Sequence, residues 1–486
     1  MNTNKDSDLI ADINNKTKKG FKWILIINIV AAPVQFLISL MLGRISPELL
    51  GKYGFLEILL NLVITVGMFG GPNLMIRYIP SISQDKIALF ISKYIKYSFI
   101  LLISIFLLII ILSQFTFFDL EFIFGKSTPP LHFLKWIVLW SVLYLLYYIL
   151  NSSQSALLRL KDFAIASKMY FFVLFVMLIV FYFCGVRSWE LIFFSSIVAI
   201  IFSITFILKK NSKDFIIFNT KGYSFPKGFW RYSFLMYIST FLTFLYEKLD
   251  QIIILFVYDL KYLGIYFGIM KIAFVSKMIP QIINRGLISS LSSLIQINAI
   301  DQIKIYYRKI INANYLICAL ISIVIILFSD FILNLFGSTF SEYRFLLLLF
   351  IITAFIDFYD TLNVNILIVK GEDKKVLTNT ILKNVTFLIS AFLLLPLYDL
   401  EGLVIARIIS LLFGVIYTKY ALNTVNYHFV LPLKTIIIII LIILVYYAGS
   451  FNIVIEGLTG ILAIATIVVF NKSELLNILK KTKIWK

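Results

Sequence analysis

Residues 263–268 read LGIYFG, and about 213 residues earlier, at 50–55, the chain reads LGKYGF. Gly51 matches Gly264 and Tyr53 matches Tyr266, each pair where an even-numbered apolar segment begins. Two further pairs recur at nearly the same offset. FDLEFIFGKS (118–127) pairs with SDFILNLFGST (329–339), setting Asp119 against Asp330 and Phe124-Gly125 against Phe336-Gly337. LRLKDFAIAS (158–167) pairs with VKGEDKKVLT (369–378), both mixing basic and acidic residues. A single match between apolar sequences arises by chance. Three at nearly one spacing, each after the same segment of its half, mark an internal duplication.

The composition says what is duplicated. Of 486 residues, 61% are hydrophobic and 14% charged, with mean hydropathy +0.96. One soluble core of this size could not hide that much apolar surface. The apolar segments run about 17–26 residues, the length a helix needs to cross about 30 Å of hydrocarbon; barrel strands would be half as long and would alternate. The reading is an all-α polytopic membrane protein with about fourteen transmembrane helices, at 21–43, 53–76, 97–115, 131–151, 167–184, 190–208, 232–257, 262–283, 309–329, 344–369, 378–396, 400–420, 433–449 and 454–470. Six is even, so the two halves share an orientation. Parallel repeats imply a pseudo-two-fold axis along the membrane normal and a site between the halves near mid-membrane. The expected organisation is a cytoplasmic tail (1–20), a six-helix half (21–208), a cytoplasmic linker (209–231), a second six-helix half (232–420), two additional helices (433–470) and a cytoplasmic tail (471–486).

Lys and Arg choose the orientation. With both termini cytoplasmic, the basic residues collect by a wide margin in or beside the inner segments, as the positive-inside rule requires. This also accounts for the net charge of +19, which faces anionic lipid from short loops and does not call for nucleic acid. The polar start MNTNKDSDLIADINNKTKKGFK lacks the form of a signal peptide. Cys184 and Cys318 fall in apolar segments and make no disulfide framework, and His132 and His428 are isolated near helix ends. GKS at 125–127 lacks the first glycine of a nucleotide-binding loop, and no HExxH, GxSxG or metal cluster occurs, so no cofactor and no metal are expected.

LGRISPELLGKYGFLEILLNLVITVGMFGGPNLMIRYIP (42–80) resembles the opening signature of polysaccharide flippases (Wzx-type) of the multidrug/oligosaccharidyl-lipid/polysaccharide exporter superfamily. Residues 249–294 resemble the matching stretch of the second half, and FGSTFSEYRFLL (336–347) is similar to a further family segment. The resemblance in topology covers about 21–420. It implies a MATE-like fold of two six-helix bundles. It also implies a secondary transporter, not an enzyme, that turns a lipid-linked oligosaccharide across the bilayer by alternating access. In the O-antigen and exopolysaccharide branch the cargo is carried on undecaprenyl diphosphate, in the bacterial plasma (inner) membrane. A polysaccharide polymerase and a chain-length regulator would be partners. Helices beyond the twelfth occur in related lipid-substrate flippases, where they help accommodate a lipid tail.

The charges inside the helices bear on that expectation, and they sit almost wholly in the second half. An ionised side chain at mid-membrane costs several kcal/mol unless paired or wetted. FLYEKLDQIIILF (244–256) carries Glu247, Lys248 and Asp250, with Glu247 and Asp250 at i,i+3. Asp357 and Asp360 repeat that spacing in the tenth helix. Lys271 lies near the middle of the eighth helix and Arg407 about two turns into the twelfth. In the functional reading Lys271, Arg407 and Lys248 bind the diphosphate, with Arg44 and Arg77 supplying the first half's share from helix ends. Glu247, Asp250, Asp357 and Asp360 then take up a proton or sodium ion and couple its gradient to transport, since two carboxylates a turn apart cannot both stay ionised easily. In the bland reading Glu247 and Asp250 neutralise Lys248 and Lys271 as structural pairs. Lys277 can snorkel to the surface. Helices three to six offer only Lys135 and Arg159 near their ends.

Smaller features have structural readings. Pro33 kinks the first helix. The glycines of GMFGGPN (67–73) form a hinge or, the simpler reading, a tight packing face, and Gly264 with Gly268 makes a GxxxG packing face. Residues 77–98 could hold a short amphipathic surface helix. Two rivals remain. A multidrug/cation antiporter of the same fold would need an acidic or apolar cavity. A membrane polymerase or ligase would need a larger outer loop than the roughly 15 residues available.

Overall fold

The computed structural model describes residues 3–112, 134–186, 188–211, 222–296, 300–424, 433–449 and 453–470. Among these, every regular element is helical and there is no strand. The helices are α1 (Thr3–Ile45), α2 (Pro47–Gly67), α3 (Pro72–Tyr78), α4 (Gln84–Leu112), α5 (Leu134–Ala156), α6 (Leu160–Phe183), α7 (Ser188–Asn211), α8 (Phe229–Val257), α9 (Leu260–Gln296), α10 (Ile300–Leu327), α11 (Ser329–Phe336), α12 (Ser338–Ser341), α13 (Arg344–Val369), α14 (Asp373–Asn423), α15 (Leu433–Gly449) and α16 (Ile453–Phe470). Over its described residues each expected span except the second has one helix. The eleventh and twelfth are the two arms of α14, which break at Asp399 (φ 47°, ψ −129°). Gly402 backs onto the Leu394 carbonyl there, where any side chain would collide, so the arms turn tightly. Eight described helices, α14 counted once, are long and apolar enough to cross a membrane; α8 and α9, which carry interior charges, are not among them. The chain is a multi-pass helical membrane protein.

Three expectations are corrected. The second span is not one helix over 53–76. It stops at Gly67, turns through Gly70 (φ 100°) and Gly71 (φ 68°), and restarts at Pro72. The two positive φ values need glycine, and Pro72 has no N–H to continue the preceding helix. Residues 84–98 are no separate surface helix but the first turns of the continuous α4. Residues 329–339 are no simple loop: α11 follows α10 at a bend of 71°. The paired stretch 118–127 lies outside the described residues, as do His132 and His428.

The backbone divides into two compact units, Met1–Gly264 and Ile265–Lys486. Within them the duplication is visible in details no sequence match revealed. Ser46 caps α2, its Oγ accepting from Leu49 N at 3.0 Å, and Asp259 caps α9, its Oδ1 accepting from Tyr262 N at 3.1 Å. The turn before α6 and the turn in α13–α14 agree bond for bond. Leu158 (φ 57°) stands where Gly371 (φ 75°) stands. Arg159 (φ −84°, ψ 53°) corresponds to Glu372 (φ −85°, ψ 50°). Arg159 N donates to Gln154 O at 3.0 Å and Glu372 N to Leu367 O at 2.9 Å.

At the crossing of α2 with the start of α9, Gly51 faces the Leu260 carbonyl and Gly264 faces the Pro47 carbonyl. Elsewhere in the first unit an aromatic cluster fastens α8. Phe225 and Phe229 stack at 4.1 Å, Phe90 meets both edge-on, and Trp230 meets Phe225 edge-on.

Candidate functional site

In the second unit, α13 brings Asp357 and Asp360 onto one face, one turn apart, as the i,i+3 spacing requires. Their carboxylates meet two different lysines. Asp360 is buried (side chain 2% exposed), with Lys383 Nζ at 2.7 Å from its Oδ2. Asn379 Nδ2 approaches both carboxylate oxygens at 3.4 and 3.5 Å, and the Thr418 hydroxyl donates to Oδ1 at 3.4 Å. The ring continues outward: Asn363 Nδ2 donates to Thr418 Oγ1 at 3.2 Å and Tyr307 OH to Asn363 Oδ1 at 2.6 Å. Gly414 makes room for the lysine, because a Cβ there would sit 2.7 Å from Lys383 Cδ. Asp357, half-buried, pairs with Lys277 at 3.1 Å and also feels Lys383 and Arg407.

Each carboxylate therefore has its own cation, and the two do not rely on each other's protonation to escape repulsion. Lys277 is a partner here and does not only snorkel. Arg407 lies over the Phe387 ring at 5.5 Å, and Lys271 over Phe267 at 4.7 Å. The neighbourhood of Asp357 and Asp360 thus holds three cations, Lys277, Lys383 and Arg407, against two carboxylates. Such a group can bind an anion if a carboxylate yields its lysine.

Lys383 is the residue that sequence reading missed. It lies six positions inside the eleventh expected span, but counts there as one more basic residue near a helix start. Its spacing from Asn379 and Phe387, one turn on either side, was the available signal. A second missed node joins Arg344, at the start of α13, to Glu456 of α16. Arg344 Nε also donates to Ser329 Oγ at 2.8 Å, and the guanidinium lies 5.3 Å from the Tyr446 ring.

In the first unit α8 separates the charges of the 244–256 stretch. Lys248 (8% exposed) and Asp250 (2%) are buried, while Glu247 is exposed. Lys248 Nζ donates to Gln251 Oε1 at 3.4 Å, and Asp250 Oδ1 accepts from Gln251 N at 2.8 Å. Arg44 is exposed at the end of α1. Arg77, also exposed, stacks over the Tyr232 ring at 3.9 Å. Lys135 is exposed beside Trp136, and Arg159 caps α6. Cys184 is exposed and Cys318 buried, both as free thiols.

No protein-family model and no curated protein matches the chain. Solved structures do. The lipid II flippase MurJ, in an inward closed conformation, has a TM-score of 0.70 at 12% identity, over 93% of this chain and 99% of that one. An inward-facing multidrug resistance MATE family transporter of the MOP superfamily has a TM-score of 0.63 at 12% identity, over 84% of this chain and 99% of that one. A MOP superfamily transporter from Pyrococcus furiosus, described as having a binding pocket of reverse polarity, has a TM-score of 0.57 at 11% identity, over 84% and 97%. At these identities the likeness is one of fold: the chain folds as the lipid II flippase MurJ and the MATE transporters do.

Proposed function

We propose that the chain is a flippase that carries an undecaprenyl-diphosphate-linked oligosaccharide from the cytoplasmic to the outer face of the plasma membrane by ion-coupled alternating access, with both termini cytoplasmic. The observation that carries this reading is the excess of cations around Asp357 and Asp360, with Lys383 buried and Lys277 and Arg407 partly so. A diphosphate needs positive charge away from bulk water, and a planar guanidinium such as Arg407 matches its oxygens. The fold likeness supports it further. The match to the lipid II flippase spans 93% of this chain against 84% for the MATE transporter, a difference of 9% or about 44 residues.

Coupling follows from competition for Lys383. When Asp360 takes up a proton, or yields to a sodium ion, the Lys383 ammonium loses its carboxylate and becomes available to the cargo diphosphate. Lys248, Lys271, Arg44 and Arg77 supply further positive charge, and Glu247, Asp250 and Asp357 are the other carboxylates open to the coupling ion. The test is the pool of lipid-linked oligosaccharide, resolved by membrane face, in a strain lacking the chain. Complete repeat units stranded on the cytoplasmic face are expected. Repeat units that still reach the outer face would refute the proposal, and normal glycan with new drug sensitivity would point to the antiporter.

A further inference from the structure

The first unit contains a cavity of about 360 Å³ between α3, α5 and α6, distinct from every charged residue discussed above. Its wall is aromatic. Tyr144, Tyr147, Tyr148 and Tyr170 all line it. The Tyr147 hydroxyl donates to Ala166 O at 3.2 Å, and the Tyr170 hydroxyl shares a 2.9 Å hydrogen bond with Ser196 Oγ. These two phenols are held by their oxygens, so they offer a ligand ring surface and not a hydroxyl. Their rings stack at 6.2 Å and 26°.

Into this wall projects Asn151, a side chain only 4% exposed whose Oδ1 has no hydrogen-bond partner. A buried acceptor left unmade is costly and rare, and it calls for a donor from outside the protein. Among the lining residues Lys168 is the one charge and there is no carboxylate. An organic cation therefore meets Lys168 and no carboxylate on the wall itself; Glu57, which acts on Tyr144 and Tyr170, is not a lining residue. The volume stands at the small end of the range of about 300–1,000 Å³ usual for small-ligand sites, which suits a sugar ring and not a polyprenyl chain.

We infer that this cavity is a carbohydrate subsite, which holds one pyranose ring of the cargo against the tyrosine faces, with a hydroxyl or amide N–H donating to Asn151 Oδ1 and Lys168 placed to meet a uronic carboxylate. The inference rests on the flippase reading and adds to it a place where the glycan is recognised, apart from the cations that meet the diphosphate. It predicts that the chain selects among glycans as well as among lipid carriers.

Saturation-transfer NMR on the full-length chain in detergent tests it, with free glucose, N-acetylglucosamine and galacturonate as probes. At least one probe should receive saturation at millimolar concentration. Asn151→Leu and Tyr148→Ala should each weaken that binding about fivefold or more, the equivalent of one lost hydrogen bond or stacking contact. Lys168→Gln should weaken galacturonate alone. Two variants are used so that a fold defect in one, seen as a lowered Tm, leaves the other to decide. Absence of transfer from all three sugars, or equal transfer in the wild type and a folded variant, overturns the subsite. Transfer from the detergent's alkyl chain to Tyr148 protons in place of any sugar would overturn it in favour of a lipid groove. The strain lacking the chain separates the two readings. Stranded repeat units without sugar binding sink the subsite alone, while sugar binding with normal outward delivery of repeat units sinks the flippase.

Discussion

Gly51 and Gly264 occupy equivalent positions of the duplication, and they meet backbone to backbone. A side chain on Gly51 would overlap the Leu260 carbonyl oxygen, and one on Gly264 would overlap the Pro47 carbonyl oxygen. The crossing is reciprocal, and it uses the same residue in both copies for one reason: nothing larger than hydrogen fits. Gly51→Ala and Gly264→Ala should each lower stability by about 2 kcal/mol or more, since the obstacle is main chain and cannot rotate away. Because either methyl group forces the same helices apart, the double variant should lose less than the sum. Thermal unfolding in detergent reads both outcomes. Additive losses would mean that the two glycines act separately.

The paired turns make a second prediction. Leu158 holds a left-handed backbone that Gly371 adopts freely in the other copy. For a non-glycine residue this conformation costs about 1–2 kcal/mol. Leu158 is 43% exposed, so its side chain returns little of that by burial. Leu158→Gly should raise the midpoint of thermal unfolding, and Gly371→Leu should lower it. A fall on Leu158→Gly would show that the leucine side chain is needed at that surface.

At the Asp360–Lys383 pair, removing one partner differs from removing both. Lys383→Met leaves a buried carboxylate without its ammonium and should cost about 3–5 kcal/mol. Asp360→Asn combined with Lys383→Met removes both charges and should restore most of that stability. Transport should not return, because neither the coupling carboxylate nor the cation remains. A stable double variant that still clears lipid-linked repeat units from the cytoplasmic face would exclude this pair from the mechanism.

The two carboxylates of the 244–256 stretch should separate in the same way. Glu247 is exposed and Asp250 buried. Glu247→Gln, at the exposed carboxylate, should change transport less than Asp250→Asn does. Asp250→Asn should alter the response of transport to pH or to sodium. Transport assayed in vesicles with imposed gradients distinguishes the ions. If the two substitutions together leave the ion dependence unchanged, coupling does not pass through α8.

Much of the fold is legible in the sequence because lipid imposes length. Among the described residues every expected span but the second is a continuous helix, and the break between 396 and 400 fell at Asp399. What was not legible depends on single backbone angles or on distant partners. The break at Gly70-Gly71 interrupts an apolar run that hydropathy reads as continuous. Ser46 and Asp259 cap equivalent helices with different chemistry, and Leu158 and Gly371 share a conformation without sharing a residue type, so neither pair registers as a match. Lys383 escaped notice because its burial is decided by Asp360, on another helix. The i,i+3 carboxylates were visible, but whether they face each other or a lysine is a matter of the next helix.

Arg344 bears on how such a chain changes over generations. It stands in the duplicated core, yet its carboxylate partner Glu456 and its aromatic neighbour Tyr446 both belong to the additional helices α15 and α16. A stop codon after the core would take away Glu456 and leave the guanidinium with Asp330, at 3.6 Å, and Ser329, so losing the pair of helices weakens the start of α13 in the same step. Arg344 and Glu456 should be inherited together, and in chains of this fold that end after twelve helices an arginine at this position should be kept only where the carboxylate of Asp330 is kept with it.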